Sequence, residues 1–563
     1  MNFRSVSLRS LLLLPAALFA LSACTEDKLV EVPSDRPPFN PPADAVNGFL
    51  GLYDVATNQT TCGNCHTATN TQWRTSKHAT AYESIANIPD AADNCGSCHA
   101  VSERGNVVGL TTTGGWSTVQ DDAYKNVQCE SCHGPGLEHV TNPEVRANWP
   151  LAHIDITPET EAASCGNCHS GAAHHPFSEQ WKLSGHANEE LAAEEGGNAS
   201  CNGCHEGRSA LKRFNGGESS NFVELTGTKQ ISLTCSVCHD PHGSENPAQL
   251  RRPLSGLIAD ENMCISCHLR PGRSQPTATF TASTATASVR GSHAPQGSVF
   301  AGENSGWLPP GFAFETDRVF STHASETANP TLCAGCHVQQ FVIAGEGGEP
   351  SFTSVGHTFQ AIPCVDANGV TTGESDCDYT TTARNWSACT ASGCHTGGAD
   401  VARSLFVNQR TNVRNLVNTL WNDVDPTLNS PTSSSQDPTP YMSATDTGLL
   451  PYIRANITQD PTCRKNGVPS NPFDGTDNCL SVAEGALWNA MLLADALYAQ
   501  NDGSQGTHNP FFYEALLGAS IQAVRATYPG LPALSASVEA SIEKALSRNV
   551  IRSTSAVRQS ASR

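Results

Sequence analysis

A chain of 563 residues is long enough for more than one folded unit, yet aromatics make up 6% of it and hydrophobics 38%, so side chains alone would fill only a thin core. The net charge of −21 argues against a nucleic-acid partner, which needs clustered Lys and Arg. Twenty-three cysteines exclude an ordinary cytosolic enzyme with sparse, reduced thiols and require disulfides, metals or covalent cofactors.

The N-terminus reads as a targeting segment, residues 1–23. Arg4 and Arg9 precede a short apolar run, Leu11 to Leu21, too short for a transmembrane helix. The run ends in Leu21-Ser22-Ala23-Cys24, which resembles the bacterial lipobox; that resemblance implies lipidation of Cys24. Thr25 follows it rather than Asp, which by resemblance to Gram-negative lipoproteins implies the outer membrane. A plain secretory signal with an incidental cysteine is the other reading. Residues 24–55, with five prolines between Pro33 and Pro42, are expected to form an extended tether. No later run is long and apolar enough to span a bilayer, so the chain is expected to be anchored rather than embedded.

From residue 56 to 400 the cysteines carry the pattern. Eight segments read Cys-x-x-Cys-His: Cys62/Cys65/His66, Cys95/Cys98/His99, Cys129/Cys132/His133, Cys165/Cys168/His169, Cys201/Cys204/His205, Cys235/Cys238/His239, Cys264/Cys267/His268 and Cys333/Cys336/His337. This is the haem c attachment motif. Two thiols at that spacing reach the two vinyl groups on one porphyrin edge, and the next residue turns under the ring to give iron an imidazole nitrogen. Zinc sites would need paired knuckles and no obligatory following histidine. A ninth segment, Cys389-Thr-Ala-Ser-Gly-Cys394-His395, has four residues between its thiols. It is read as a ninth haem site because His395 follows directly; the other reading spends Cys389 and Cys394 on disulfides with Cys364 and Cys377.

With Cys24 and nine attachment sites set apart, four cysteines remain, in two local pairs: Cys364 with Cys377, and Cys463 with Cys479. Disulfides there suit an oxidising compartment. Twenty histidines supply nine proximal ligands and leave eleven more, while methionine is scarce. Bis-histidine ligation is therefore expected throughout. The distal candidates are His78, His139, His175, His186, His242, His293, His323, His357 and His508, with His174 competing with His175 and His153 spare. An iron with two histidines has no open position for a substrate.

A larger repeat overlies the motifs. Trp73-Arg-Thr-Ser76-Lys-His78-Ala79 matches Trp181-Lys-Leu-Ser184-Gly-His186-Ala187, and each lies between the first and second sites of a group of three. Sites one to three and four to six form a duplicated triplet. Sites seven to nine, with Ser321-Thr-His323-Ala324, are expected to form a looser third, interrupted at 276–290 and 364–377. Fewer than forty residues per haem cannot insulate one ring from the next, so the haems are expected to lie in a continuous chain and to supply the missing apolar mass.

Residues 401–563 carry no haem motif. Residues 402–421 follow a helical period, 426–478 are Pro/Ser/Asp-rich and expected as loop, and 480–500 read as helix. Asn509-Pro510 reads as an N-cap with proline at the first helical position, starting a helix from Phe511 to Tyr528 with Leu516, Leu517, Ile521 and Val524 on one face. Val538 to Leu546 suggest a last short helix. The expected fold is mainly α with little regular structure: a covalent multihaem core of tandem three-haem repeats and a haem-free helical cap.

From Cys62 to His395 the chain resembles the multihaem c-type cytochrome superfamily of respiratory and extracellular electron transfer. The CxxCH series, WxxSxHA, CESCHGPGLEH, HHPFSEQWKLSGHA and CSVCHDPHG carry the likeness. It implies distal ligation by His78, His139, His186 and His323. Gly506-Thr507-His508-Asn509-Pro510 resembles a segment that brings a histidine to a haem before a late helix. The resemblance implies redox partner proteins, such as a porin or other cytochromes. Three readings stay open: an electron carrier at the outer membrane or cell surface, an oxidoreductase acting on nitrite, hydroxylamine or a sulfur oxyanion at one open haem, and a filament-forming subunit. The first is preferred, and no catalytic residue is assigned; the lysine-ending motif CxxCK of pentahaem nitrite reductases is absent.

Overall fold

The computed structural model describes residues 45–106, 113–152, 165–171, 176–215, 230–258, 261–269, 293–302, 305–314, 319–344, 350–391, 393–424, 442–474, 477, 479–493, 502–548 and 552–553. The signal segment, Cys24, His153, His174, His175 and the 276–290 insertion lie outside them. The fold is mostly helical with little sheet. Its β-structure consists of four two-stranded antiparallel ribbons among the described residues: β1 (Leu52–Asp54) with β2 (Gln59–Thr60), β3 (Phe312–Ala313) with β8 (Arg552–Ser553), β4 (Phe341–Ala344) with β5 (Pro350–Ser354), and β6 (Arg464–Lys465) with β7 (Val468–Pro469).

Up to residue 395 the helices are short. Among them are α1 (Thr67–Trp73), α2 (Phe177–Lys182), α3 (Gly207–Phe214) and α4 (Gln296–Ala301). Side-chain cores here are small. One gathers Phe49, Ala100, Val101, Trp116 and Tyr124; another holds Trp181 and Ala187; a third holds Phe300, Ala324 and Leu332.

The C-terminal part is built differently. Helices α5 (Gly398–Leu420), α6 (Leu449–Asn456), α7 (Val482–Leu493), α8 (Pro510–Thr527) and α9 (Ala536–Arg548) pack into one large apolar core. α8 lies at its centre, against α5, α7 and α9. Asn509 caps α8 by accepting from the Phe512 amide at 3.1 Å, and Pro510 takes the first turn, where no amide hydrogen is needed. α8 is buried on nearly every side, from Phe512 through Ile521, rather than along one face.

The cap is joined to the preceding region through this core. Val299, Trp307 and Val319 belong to the same apolar cluster as α7 and α8. Asn489 on α7 accepts from the Trp307 amide at 2.7 Å and donates to the Trp307 carbonyl at 2.6 Å. Gly485 is required at this contact: a Cβ there would sit 2.2 Å from the Trp307 ring.

Two stretches differ from expectation. The tether expected to run to residue 55 gives way to folded chain earlier: Phe49 and Leu50 are buried, and the amides of Leu50 and Gly51 donate to the buried Glu130 carboxylate at 2.7–3.0 Å. The Glu130 acceptor and the Phe49 pocket are distant in sequence, so composition alone does not show them. The expected 426–478 loop contains helix α6, because Leu449, Leu450 and Ile453 find the cap core. Its Pro451 falls in the first turn, where proline is tolerated. The same stretch forms the β6–β7 hairpin on Asn466-Gly467, both at positive φ, a turn that favours these two residues.

Both local cysteine pairs are disulfides: Cys364–Cys377, S–S 1.96 Å, and Cys463–Cys479, S–S 1.97 Å. Cys389 and Cys394 are free thiols, so the alternative that paired them with Cys364 and Cys377 does not hold.

Candidate haem sites

Each attachment motif forms a tight turn that brings its histidine back over the first cysteine. The histidine amide donates to the first cysteine carbonyl at 2.9 Å for His66, 3.1 Å for His99, 2.8 Å for His169, 3.2 Å for His205, and 2.9 Å for His239 and His268. The ninth motif has two extra residues, yet the His395 amide donates to the Cys389 carbonyl at 3.0 Å. Gly393, at φ 87°, supplies the left-handed residue that absorbs the extra length.

The thiols are not equally enclosed. Cys65, read as the second thioether residue of site one, is exposed, as are Cys165 and Cys394; the other motif thiols are half-buried. The cause at Cys65 is local. The turn Cys62–Asn64 buries Gly63 against Asn70 and leaves Cys65 and His66, on the next residues, exposed. The turn itself is intact, with the Cys65 amide donating to the Cys62 carbonyl at 3.1 Å. Site one thus keeps its attachment geometry.

The histidines then meet in pairs. Ring centres lie 6.3 Å apart for His66–His139, 6.2 Å for His169–His78, His133–His242, His268–His186, His239–His357 and His395–His323, 5.9 Å for His205–His293 and 6.1 Å for His337–His508. Every one of these pairs joins one motif histidine to one of the others; among the described residues no two motif histidines pair, nor any two of the rest. An iron about 2 Å from each of two imidazole nitrogens holds the ring centres roughly 6 Å apart. The residues present thus fit a bis-histidine haem at eight places. At the remaining motif, His99 holds its Nδ1 2.9 Å from the Ala81 carbonyl, and the candidates for the opposite side, His153, His174 and His175, lie outside the described residues.

The rings are held from behind. Nδ1 of His133, His239, His323, His337 and His357 each lies 2.7–3.0 Å from a backbone carbonyl, those of Pro150, Ala248, Thr507, Phe359 and Val355. That bond leaves Nε2 as the free lone pair, the orientation a metal ligand needs. Burial pushes His186 and His337 down to about 4, and holds His78, His239, His268, His323 and His357 below the ordinary imidazole range. They therefore stand neutral at pH 7.

The Ser-x-His-Ala signal has a local purpose. Ser184 and Ser321 accept from the amides of His186 and His323 at 3.2 and 3.3 Å and so cap the short turns that present them. The tryptophan of the repeat anchors each turn: Trp73 donates to the Val127 carbonyl at 2.8 Å and Trp181 to that of Leu233 at 2.9 Å. These are equivalent positions, each preceding the third site of its triplet.

Thiols from different motifs also come together. Cys62 lies near Cys129, Cys98 near Cys168, Cys165 near Cys235, Cys204 near Cys267, and Cys264 near Cys333. Cys132 lies in reach of Cys165, Cys267 of Cys238, and Cys336 of Cys394. The Arg213 guanidinium ties sites five and seven, 3.1 Å from Cys204 Sγ and 3.9 Å from Cys267 Sγ. In these contacts Cys264–Cys333 repeats Cys62–Cys129 and Cys165–Cys235. In this proximity site eight resembles sites three and six, each of which lies beside the first site of its group.

A continuous cavity of 3010 Å³ runs through this region, lined by cysteines and histidines of sites two and four to nine, by Cys132 of site three, and by His78, His186, His293, His323, His357 and His508. Sequence reasoning missed the residues that aim these histidines. Gln180 on α2 is buried and accepts from the amides of Val355 at 3.0 Å and His357 at 3.3 Å, which places His357 opposite His239. Gln180 lies in the HHPFSEQWKLSGHA segment, directly before the Trp181 of the repeat, and no local pattern marks it. Glu130, inside the third motif, accepts from Leu50, Gly51 and Gly136 amides; burial pushes its carboxyl up to about 7 against those bonds.

Residues 61–134 match the family profile described as cytochrome c554 and c-prime, and residues 229–270 match that of the doubled CXXCH motif. Over 197 residues the chain is 25% identical to the protein named multiheme cytochrome MtrA of Shewanella baltica (strain OS185); the match covers 32% of this chain and spans about half, 53%, of that protein. The solved structure of the outer cell wall cytochrome OcwA overlaps 77% of this chain and 76% of its own, at 16% identity and a TM-score of 0.41. Among the described residues, no helix is long and apolar enough to cross a membrane.

Proposed function

We propose that this multihaem c-type cytochrome carries electrons along nine bis-histidine haems, outside the cytoplasm at the outer membrane or cell surface, as a lipoprotein anchored through Cys24. The observation that carries the reading is the set of eight histidine pairs at 5.9–6.3 Å, each made of one motif histidine and one other. Haem c supplies reversible one-electron chemistry when bound. The chain's own residues do the rest. The paired cysteines would hold each haem covalently, the two histidines would bind its iron and leave no open position for a substrate, and the carbonyls behind the rings fix the orientation of the imidazoles. His175 is the proposed partner of His99 at site two.

The thiol contacts suggest an order. Sites one, three, four, six, seven, eight and nine follow one another, with site two beside site four and site five beside site seven. This is a wire with two side branches, and the exposed Cys65 and His66 suit site one to an end of it. The lipobox-like leader supports a place near the envelope surface, the likeness to a multihaem cytochrome supports electron transfer, and redox proteins, a porin or other cytochromes are the partners proposed. An enzyme acting on nitrite, hydroxylamine or a sulfur oxyanion would have to work at site two, since the other eight motifs each have two histidines in place.

The test is a haem count with ferric EPR and optical spectra of the purified holoprotein, with and without nitrite and hydroxylamine. Nine haems, all low-spin and unchanged by either ligand, are expected. A high-spin haem that binds either ligand would replace the carrier reading with the enzyme reading.

A further inference from the structure

The hydrogen bond behind His508 differs in kind from those behind the other rings. His508 Nδ1 lies 2.6 Å from Asp502 Oδ1, and the Asp502 side chain is 1% exposed. Where the other rings named above meet a neutral backbone carbonyl, this one meets a buried carboxylate. The described histidine that comes nearest to this is His242, which lies 3.5 Å from Asp240; that pair is partly exposed, and Asp240 is also bound by Arg251. Asp502 is held in place from several sides. Its Oδ2 accepts from the Tyr513 hydroxyl and the Ser504 hydroxyl, and its amide donates to the Leu492 carbonyl at 3.0 Å. Tyr513 belongs to α8 and is itself buried. The cap therefore brings both the ligand and the charge behind it to site eight.

A carboxylate bonded to Nδ1 draws its proton away and makes Nε2 a stronger donor, which favours the more positive, oxidised iron. In a buried site that charge is little screened. We propose that Asp502 is a positioning and tuning residue that lowers the reduction potential of site eight, placing a step between sites seven and nine of the wire. The proposal rests on the reading that His337 and His508 hold one iron.

The experiment is a spectroelectrochemical titration with EPR of the full-length holoprotein and its variants. His508→Ala comes first: loss of one low-spin signal shows that His508 is a ligand, and no loss overturns the ligand reading itself. In Asp502→Asn, one of the nine components moves to higher potential and one low-spin signal changes its g-values, while the other eight stay; Asp502→Glu restores both. Tyr513→Phe removes a donor from the carboxylate and leaves it a stronger acceptor, so the same component moves the opposite way, to lower potential. If Asp502→Asn loses ligation and shows a high-spin signal, Tyr513→Phe decides. With His508 shown to be a ligand, titrations of Asp502→Asn and Tyr513→Phe that superimpose on wild type overturn the proposal.

Discussion

The two halves of this molecule solve the same problem with different materials. The cap buries helices α7 and α8 almost completely in a side-chain core that includes Trp421, Trp488, Phe512, Leu516, Leu517 and Tyr528. Among the described residues from 45 to 395 there are three small clusters of their own and a long cavity lined by cysteine and histidine. A chain with 6% aromatics cannot build both cores from side chains. It spends its apolar residues on the cap and leaves the other volume to covalent groups. A side-chain core forms with the chain; a cofactor core forms only when the cofactor is attached.

The largest break in this comparison comes from withholding haem. Expressed without haem attachment, the chain is expected to lose protection through residues 56–395 while α5 to α9 stay resistant. Limited proteolysis with mass mapping of the surviving fragment reads this, and equal loss in both halves would erase the distinction. The converse damage is smaller and falls on the cap. Phe512→Ala empties a fully buried site and is expected to cost about 3–5 kcal/mol. Denaturant unfolding followed by far-ultraviolet circular dichroism should shift, while the Soret band of sites one to seven holds to the wild-type midpoint.

Next comes the cap disulfide. Replacing Cys463 and Cys479 by Ser opens a loop of sequence separation 16 and is expected to cost roughly 3 kcal/mol. The same pair of changes at Cys364 and Cys377 should instead disturb site nine, because Arg384 ties that loop together through the carbonyls of Ile362, Ser375 and Cys377. Thermal unfolding of each double variant, read at the helix and haem bands separately, distinguishes the two.

The smallest effect is one of pH. Burial, with the nearby charges of Asp477 and Asp460, pushes the Glu484 carboxyl up to about 8 from 4.5. The folded cap therefore binds a proton that the unfolded chain releases. That contribution is fully present below about pH 4.5 and is lost as pH rises toward 8. Glu484→Gln should flatten the cap's melting temperature between pH 5 and 8; an unchanged slope would show that another group carries it. Haem-region stability should not follow this slope.

Much of this was legible in residue order because its chemistry is local. A thiol pair with a following histidine is a single turn, so all nine motifs could be read without tertiary knowledge. The two disulfides were legible because four cysteines remained in two short loops. Asn509-Pro510 marked the start of α8 because capping depends on neighbours in the chain. The distal histidines could be gathered by counting, and the eight described ones all stand opposite a motif histidine.

Their assignment was not legible. His139 faces back to site one, whereas His78 and His242 reach across the repeat to sites four and three. Nor was enclosure: Cys65 and Cys98 hold the same place in motifs that differ by one residue, Asn64 against Ser97, yet only Cys65 of the two is exposed. The sequence by itself therefore determined which residues form attachment motifs, that one part of the chain carries these motifs and another does not, and how each motif turns. Only the tertiary structure decided which histidine meets which and that Asp502 lies behind His508. Attachment depends on bonds within five to seven residues; pairing depends on contacts between segments far apart in the chain, and spacing along one strand of sequence carries no record of distance in space.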